Sequence, residues 1–517
     1  MSLPVSLLFS VLFLAVAIFA WSAIYRLYFH PLASVPGDKL AGLTRWYEFF
    51  WDGLMGGQYM FKIRDMHERY GPIVRINPGE VHINDHLYWE VLFSNTLKLD
   101  KDPTYYGLDA GNCTAFSTVA HDVHRRRRGA FSKFFSAGNV AKLEPQVQQK
   151  LNQLLGRIEE LGKAGQVVDL SNAFRSLSMD VISIFTEPQP RDNLSAPDFS
   201  KPLHDCLRVL SGTFIWQRMV PALQTLDAIP RFVWTFINPS VNVLYDKRDS
   251  LKTQARAVIA SGGKPETDRP PTVFEAIYNS SLLGVEDKTP ERLAWEAETI
   301  LGAGTETTGM TLCTLVYHLQ TNPKILERLK EELMSCSSLP REAMVDFRTL
   351  NGLPYLQAVI WESLRVGCPV SGRLVRTNSR HPMTYTTPGP DAKTYVFPPG
   401  TVLSMTMRDL HENRSVFPKP KDFQPERWLD SSDPTSTSTA EQRKLMDRYF
   451  VPFSKGTRSC VGMELAKQEL TLTVGNLFRR FDLELFETTR RDIEAARDYF
   501  SPFGPSDSEG VRVKVKL

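Results

Sequence analysis

The sequence predicts a mainly helical protein with a small β-rich side and one transmembrane helix at its N-terminus. Residues 3–24 form an uncharged, apolar run that is long enough to span a bilayer as a helix. A second long helical pattern covers residues 289–323 and is apolar on several sides, which is typical of a helix through the middle of a domain. Short alternating runs at 74–76 and 81–83 surround a turn and predict two strands.

Composition excludes several classes of protein. The chain has 517 residues, which is enough to bury a large core. Its 61 basic and 58 acidic residues give a net charge of +3, so no global field favours nucleic acid. The six cysteines form no CxxC pairs, which argues against a zinc cluster or a disulfide framework. Scattered thiols suit a reducing compartment.

The apolar N-terminal run is interpreted as an uncleaved membrane anchor. A signal peptide is the alternative, but it would need a basic start and a shorter apolar core, and the first two residues carry no Lys or Arg. Positive charges follow the run at Arg26, Lys39 and Arg45. The positive-inside rule then predicts that the bulk of the chain is cytosolic.

This interpretation divides the chain into two parts. We expect residues 1–27 to form the anchor and residues 28–517 to form one catalytic domain. Residues 30–37 contain two prolines and a glycine, which predict a stiff hinge between the two parts.

The loop at 453–462 holds the residue on which the functional interpretation depends. Cys460 stands just before a helical pattern that begins at Met463. Free backbone N–H groups and the positive end of the helix dipole favour a thiolate there, and a thiolate is a soft metal ligand. The loop also has glycines that let a flat macrocycle approach, a cation suited to a carboxylate, and a ring that can cover the sulfur. These are Gly456, Gly462, Arg458 and Phe453. A free cysteine in an ordinary loop is the alternative.

These loop residues match the FxxGxRxCxG signature, so the sequence resembles the cytochrome P-450 family of haem-thiolate monooxygenases. The run Tyr28-Phe29-His30-Pro31-Leu32 is similar to fungal microsomal members of secondary metabolism, of the trichodiene-oxygenase type. The resemblance implies the cytochrome P-450 fold, and haem b bound with Cys460 as the axial ligand of the iron.

The long helical pattern contains Ala303-Gly304-Thr305-Glu306-Thr307-Thr308. Glycine and threonine are poor formers of a helix interior. The Thr307 hydroxyl can bond to the Ala303 carbonyl, which predicts a local distortion and a groove. The segment resembles the family's AGx(D/E)T(T/S) motif. That resemblance implies that Thr307 orders water beside iron-bound dioxygen and that Glu306 helps to relay protons.

Four consecutive arginines, residues 125–128, raise the alternative of nucleic-acid binding. The run is short and isolated, so we expect no nucleic-acid partner. The family carries a WxxxR pair here that holds a haem propionate. In this chain the pair is His124 and Arg128, with histidine in place of tryptophan. The resemblance implies a further propionate-binding cation after the helix that begins at Pro354 and ends before Gly367, and Arg376 is preferred to Arg373 for it.

A buried structural network is expected from Glu362, Arg365 and Arg427. The first two are three residues apart and share one helix face. An ExxR pair alone is a weak signal, because surface salt bridges often have this spacing. Residues 423–428 resemble the family's PERF segment, with Trp428 in place of phenylalanine.

The resemblance implies insertion of one oxygen atom from O2 into a C–H bond of an apolar terpenoid or polyketide. Electrons are expected from NADPH through a separate, flavin-containing NADPH-cytochrome reductase, with cytochrome b5 as a second donor. The expected location is the endoplasmic reticulum membrane, single-pass, with the catalytic domain on the cytosolic side. Two alternatives stay open: desaturation, ring closure or rearrangement on the same scaffold, and a catalytically silent haem sensor or membrane scaffold.

Overall fold

The structure is a computed structural model. It describes residues 3–106, 113–220, 231–237, 241–265, 269–336 and 338–516. Most of these residues are helical and the sheets are small, which confirms the predicted fold class.

The α-helices in these ranges are α1 (Leu3–Ile24), α2 (Lys39–Leu43), α3 (Trp46–Phe49), α4 (Tyr59–Tyr70), α5 (His86–Leu92), α6 (Pro103–Tyr106), α7 (His121–Gly129), α8 (Ala137–Lys142), α9 (Glu144–Lys163), α10 (Leu170–Thr186), α11 (Lys201–Met219), α12 (Arg231–Ile237), α13 (Val241–Ala260), α14 (Val273–Asn279), α15 (Pro290–Thr321), α16 (Pro323–Ser335), α17 (Phe347–Asn351), α18 (Pro354–Gly367), α19 (Met407–His411), α20 (Ala440–Tyr449) and α21 (Met463–Arg480).

The strands are β1 (Ile73–Asn77), β2 (Glu80–Ile83), β3 (Val168–Asp169), β4 (Leu374–Thr377), β5 (Met383–Thr386), β6 (Thr394–Phe397), β7 (Val402–Met405), β8 (Asp482–Leu485), β9 (Arg497–Tyr499), β10 (Ser501–Phe503) and β11 (Arg512–Lys516). A four-stranded sheet has the order β1-β2-β7-β4, in which only β2 and β7 are parallel. A second sheet has the order β3-β11-β8, and the pairs β5-β6 and β9-β10 are antiparallel.

The N-terminal helix leaves its apolar side chains uncovered. The segment Leu7–Phe29 is long and apolar enough to cross a membrane, and none of it is buried against the rest of the protein. Arg26 anchors its end, because its Nη1 donates to the Leu43 carbonyl (2.7 Å) and its own carbonyl accepts from Arg75 Nη1 (2.7 Å). An apolar helix that no protein surface covers suits a lipid environment.

The central helix α15 begins and ends where the sequence predicts. The Thr289 side chain accepts from the Arg292 N–H and caps its start. The helix packs against α10, α13, α18 and α21. Close contact with α10 depends on glycine, since a Cβ added at Gly309 would lie 2.9 Å from the Arg175 Cγ. This packing brings α10 side chains next to the motif on α15.

Candidate functional site

Cys460 lies at the end of a tight loop between α20 and α21. Its N–H donates to the Phe453 carbonyl (2.8 Å), and the Ser459 N–H donates to the Gly456 carbonyl (3.1 Å). The Phe453 ring is partly buried and packs against the main core. The loop therefore presents the thiol just before the first residue of α21, Met463.

The two glycines of this loop serve different purposes. Gly456 has a φ of +81°, and a Cβ there would lie 2.4 Å from the Phe93 carbonyl oxygen. Glycine is therefore required at 456 by backbone conformation and by packing against the segment after α5. At Gly462 a Cβ would meet nothing within 4 Å, so open space beside the backbone exists there.

The surroundings of the thiol act on its pKa in both directions. Cys460 is accessible, yet burial raises the pKa of its thiol, and the Gly462 N–H and Arg128 only partly oppose this effect. A bound metal ion would reverse the balance, since a coordinating thiol is deprotonated.

Three arginines lie in or beside this loop: Arg128, Arg376 and Arg458. None of them forms an ion pair with a residue in the described ranges. Arg458 donates to the carbonyls of Thr118 and Val119 (both 2.6 Å), and its buried Nε has no acceptor among the described atoms. Arg128 Nη1 donates to the Ser459 carbonyl (2.5 Å). Burial, and next Arg376, lower the pKa of Arg458 to about 9. This unbalanced positive charge suits an anionic ligand.

Arg373 and Arg376 have different partners. Arg373 is occupied, because its Nη2 donates to Glu48 (2.6 Å) and its Nε to Glu80 (3.0 Å). Arg376, on β4, donates to the Val375 carbonyl and lies over the Phe93 ring (5.0 Å). Arg376 therefore keeps donors for another partner.

His124 on α7 is buried beside the same cations. Burial, followed by Arg458 and Arg128, lowers its pKa to about 2, so the imidazole is neutral and has one N–H to donate. The other arginines of the run differ in their surroundings. Arg127 Nε donates to Asp287 (2.9 Å), whereas Arg125 is exposed.

The middle of α15 presents a small accessible strip. Ala303 is exposed and Thr307 is partly buried, although most of the helix around them is covered. The Thr307 Oγ1 donates to the Ala303 carbonyl (2.8 Å), as the sequence predicts. The helix nevertheless stays continuous from Pro290 to Thr321, so the bond does not break it.

Glu306, the neighbour of Thr307, is held by a residue that sequence reasoning missed. Arg175 on α10 donates to both of its carboxylate oxygens (Nε–Oε2 2.8 Å, Nη2–Oε1 2.7 Å). Burial alone would raise the pKa of Glu306, but Arg175 holds it below its usual range. Glu306 is therefore an ionised carboxylate in a bidentate pair. Arg175 stands in a motif-poor helix, and no local signal marks it.

An aromatic group lies at the turn between β9 and β10, with Phe500 at its tip. The Phe500 ring lies 5.6 Å from Phe116 and 6.4 Å from Tyr106, measured between ring centroids. These three rings from two distant parts of the chain form an aromatic cluster. The Lys101 ammonium lies over two of them, 3.8 Å from the Tyr106 centroid and 4.1 Å from the Phe116 centroid.

The buried network around Glu362 is assembled as expected. Its Oε1 accepts from Arg365 Nη2 (2.7 Å), the Gln424 N–H (2.9 Å) and Arg427 Nε (3.2 Å). Its Oε2 accepts from Arg365 Nε (2.9 Å) and Trp428 Nε1 (2.8 Å). The tryptophan that replaces phenylalanine therefore adds an N–H donor, so that five hydrogen bonds satisfy one buried carboxylate.

The chain is similar to known proteins along most of its length. A family model described as Cytochrome P450 matches residues 41–501. The tryptophan 6-hydroxylase fscE of Fusarium equiseti is 37% identical over 497 residues, which cover 96% of this chain and 94% of that protein. The N-acetyltryptophan 6-hydroxylase ivoC of Emericella nidulans is 34% identical over 497 residues (95% and 94%). The cytochrome P450 monooxygenase TRI4 of Trichoderma arundinaceum is 34% identical over 510 residues (95% and 93%).

Proposed function

Because this chain belongs to the cytochrome P450 family, we propose that it inserts one oxygen atom from dioxygen into a C–H bond of a small, mainly apolar secondary metabolite. The observation that carries the proposal is the group of three arginines around the Cys460 loop. Their positive charge has no carboxylate partner among the described residues, and haem b brings two propionates.

The side chains present fit haem. We propose that Cys460 is the axial ligand of the iron. Arg128, Arg376 and Arg458 would hold the propionates, with a ring N–H of neutral His124 as a further donor. The uncovered backbone at Gly462 leaves space beside the loop. Haem bound here would supply the activation of dioxygen, with electrons from NADPH through a separate flavin-containing reductase or cytochrome b5.

The residues of α15 would serve proton delivery and access. Ala303 has only a methyl group and leaves its strip of the helix open. The Thr307 hydroxyl donates to the Ala303 carbonyl. Its free lone pair can accept a hydrogen bond from a water molecule that delivers protons. Glu306 takes up a proton less readily while it is paired with Arg175, because the guanidinium stabilises the ionised carboxylate.

Thr307→Ala is expected to uncouple electron consumption from product formation. The product formed per NADPH should fall by about tenfold or more, with peroxide released instead, because the hydroxyl that positions water for proton delivery is lost. Thr307→Ser should keep most of the coupling. Thr321→Ala is the control, since Thr321 makes the same bond to the residue four positions earlier, Tyr317, at the exposed end of the helix. Unchanged coupling in Thr307→Ala would refute this role.

The substrate class is proposed from chemistry and relatives together. A terpenoid or polyketide is the leading class, in keeping with fungal secondary metabolism. An indole compound hydroxylated on its ring is a second candidate. Two relatives are named for tryptophan and N-acetyltryptophan. The accessible parts of the Phe116 and Phe500 rings offer an aromatic surface for such a ring.

The function is tested with membranes that contain this chain and a reductase, incubated with NADPH and a panel of both classes under oxygen-18 gas. One labelled oxygen atom per product molecule is expected. A product without the label would favour desaturation, ring closure or rearrangement. NADPH consumption that no compound changes would favour a haem sensor or scaffold.

The proposed location is the endoplasmic reticulum, with residues 1–27 in the membrane and residues 28–517 on the cytosolic side. The uncovered helix α1 and the positive charges that follow it support this topology. The reductase that supplies electrons would be bound to the same membrane.

A further inference from the structure

The tip of the β9–β10 hairpin is held by one neighbouring segment. Phe500 has a φ of +78°, a left-handed conformation that residues with a side chain rarely adopt. Its carbonyl accepts from the N–H groups of Ser371 (3.1 Å) and Gly372 (3.0 Å). A Cβ at Gly372 would lie 2.7 Å from the Phe500 Cα, so glycine there lets the tip approach.

One carboxylate oxygen joins both sides of this contact. Asp498 Oδ1 accepts from the Phe500 N–H (2.8 Å) and from the Ser371 hydroxyl (3.2 Å). The carboxylate therefore fixes the backbone of the tip and connects it to the segment that follows α18. Two donors on a single acceptor atom define the position of the tip more narrowly than the backbone bonds alone.

The base of the hairpin has separate support. The Asp498 N–H donates to the Gly57 carbonyl (2.9 Å), and Gln58 Nε2 donates to the Ala496 carbonyl (2.8 Å). Loss of the Asp498 side chain leaves these bonds in place. The side chain of Asp498 therefore acts on the tip, while its backbone acts on the base.

The ring at the tip belongs to the aromatic cluster near the candidate site. Phe500 meets Phe116 and Tyr106 almost edge to face, with interplanar angles of 77° and 80°. Phe116 is 42% exposed although its neighbours Ala115 and Ser117 are buried. The Lys101 ammonium lies 4.1 Å from its ring centroid, so only the part of the ring away from Lys101 is open to a ligand. A shift of the tip would change the width available beside this ring.

We propose that Asp498 is a positioning residue: with Ser371 it holds the Phe500 ring at the wall of the substrate pocket and thereby limits the size of molecule that reaches the reacting centre. This inference rests on the proposed function, because it requires a haem pocket. Asp498 itself acts through Phe500 and does not touch the substrate.

The test uses the full-length, haem-loaded chain and two probes of different size, imidazole and 4-phenylimidazole. The dissociation constant of each is measured from the shift of the Soret band, and their ratio reports pocket width. Phe500→Ala should change this ratio by about tenfold, since one apolar group in a pocket is worth about that much. Asp498→Ala and Ser371→Ala should change the ratio in the same direction by about threefold or more, which is at least half of the Phe500→Ala effect on a logarithmic scale.

Two further variants separate positioning from general damage. Asp498→Asn should keep the ratio close to that of the parent, because the amide oxygen still accepts both hydrogen bonds. In the Phe500→Ala background, Asp498→Ala should add nothing, since both changes act through the same ring. A full additional shift in that background would overturn the proposal.

The outcomes also distinguish this inference from the proposed function. A normal red-shifted carbon-monoxide band with an unchanged ratio in Asp498→Ala would overturn only the positioning role. If Asp498→Ala does not bind haem, Ser371→Ala decides: a changed ratio supports the role and an unchanged ratio overturns it. Absence of the carbon-monoxide band in the parent chain would overturn the proposed function itself.

Discussion

Replacing Cys460 with serine will abolish the red-shifted carbon-monoxide band of the reduced protein and will lower substrate turnover by more than about a hundredfold, because the band and the activation of dioxygen both require a thiolate ligand. Serine is close in size, and the Cys460 N–H can still donate to the Phe453 carbonyl. The loop should therefore keep its shape. The measurement is the difference spectrum of reduced protein with and without carbon monoxide.

Cys336→Ser is the matched control for this experiment. Cys336 is also partly accessible, but its thiol donates to the Leu333 carbonyl in the helical turn at the end of α16. Its replacement should leave the band unchanged. A band that persists in Cys460→Ser, or that disappears in Cys336→Ser alone, would contradict the ligand assignment.

Glu362→Gln is expected to destabilise the whole domain. The change leaves Arg365 and Arg427 buried without a counter-charge, and breaking a buried pair in this way costs about 3–5 kcal/mol. Purified protein should retain little haem, and the midpoint of thermal loss of haem absorbance should fall by roughly 3–5 °C, because each kcal/mol lost lowers the midpoint of a chain of this length by about 1 °C. The failure should appear as poor folding and haem loss, without a selective loss of the chemical step.

The control for this change is Glu426→Gln in the adjacent 3₁₀ turn. Glu426 is only partly buried, accepts from the Tyr355 hydroxyl (2.6 Å), and lies 4.0 Å from Arg328. Pairs of this kind contribute about 0–1 kcal/mol. A Glu426→Gln variant as unstable as Glu362→Gln would show that the network around Glu362 has no special weight.

The Glu362 network also predicts a pH dependence. Burial alone would raise the pKa of Glu362, but Arg365 and then Arg427 hold it below the ordinary value of 4.5. A carboxyl group whose pKa is lowered in the folded state stabilises the protein at pH values above its ordinary pKa. This stabilisation is lost as the pH falls through the pKa of the folded state. The difference in stability between the parent and Glu362→Gln should therefore shrink in acid.

Much of the candidate site could be predicted because its key residues stand in short, contiguous patterns. Cys460 and Arg458 are two residues apart in one loop, and Glu306 and Thr307 are adjacent on one helix. The extent of that helix follows from Thr289 and Pro290 at one end and Pro323 beyond the other. Such signals are local, so no knowledge of distant contacts is needed to read them.

Other features depend on residues that are far apart in sequence. Arg175 pairs with Glu306 across 131 positions, and Asp498 reaches Ser371 across 127. Neither partner lies in a pattern that predicts the contact. The Phe93 carbonyl that leaves no room for a Cβ at Gly456 comes from another segment. The balance of desolvation against charge at Cys460 also required the surrounding atoms.

The amino-acid sequence by itself determined the helical class, the apolar N-terminal helix and the order of the motifs, because spacing along the chain encodes helices and loops directly. Only the tertiary structure decided which arginines stay without a carboxylate, how Glu306 is held and what shapes the turn at Phe500. These properties arise from packing between segments, where burial and distance set the strength of each charge and hydrogen bond.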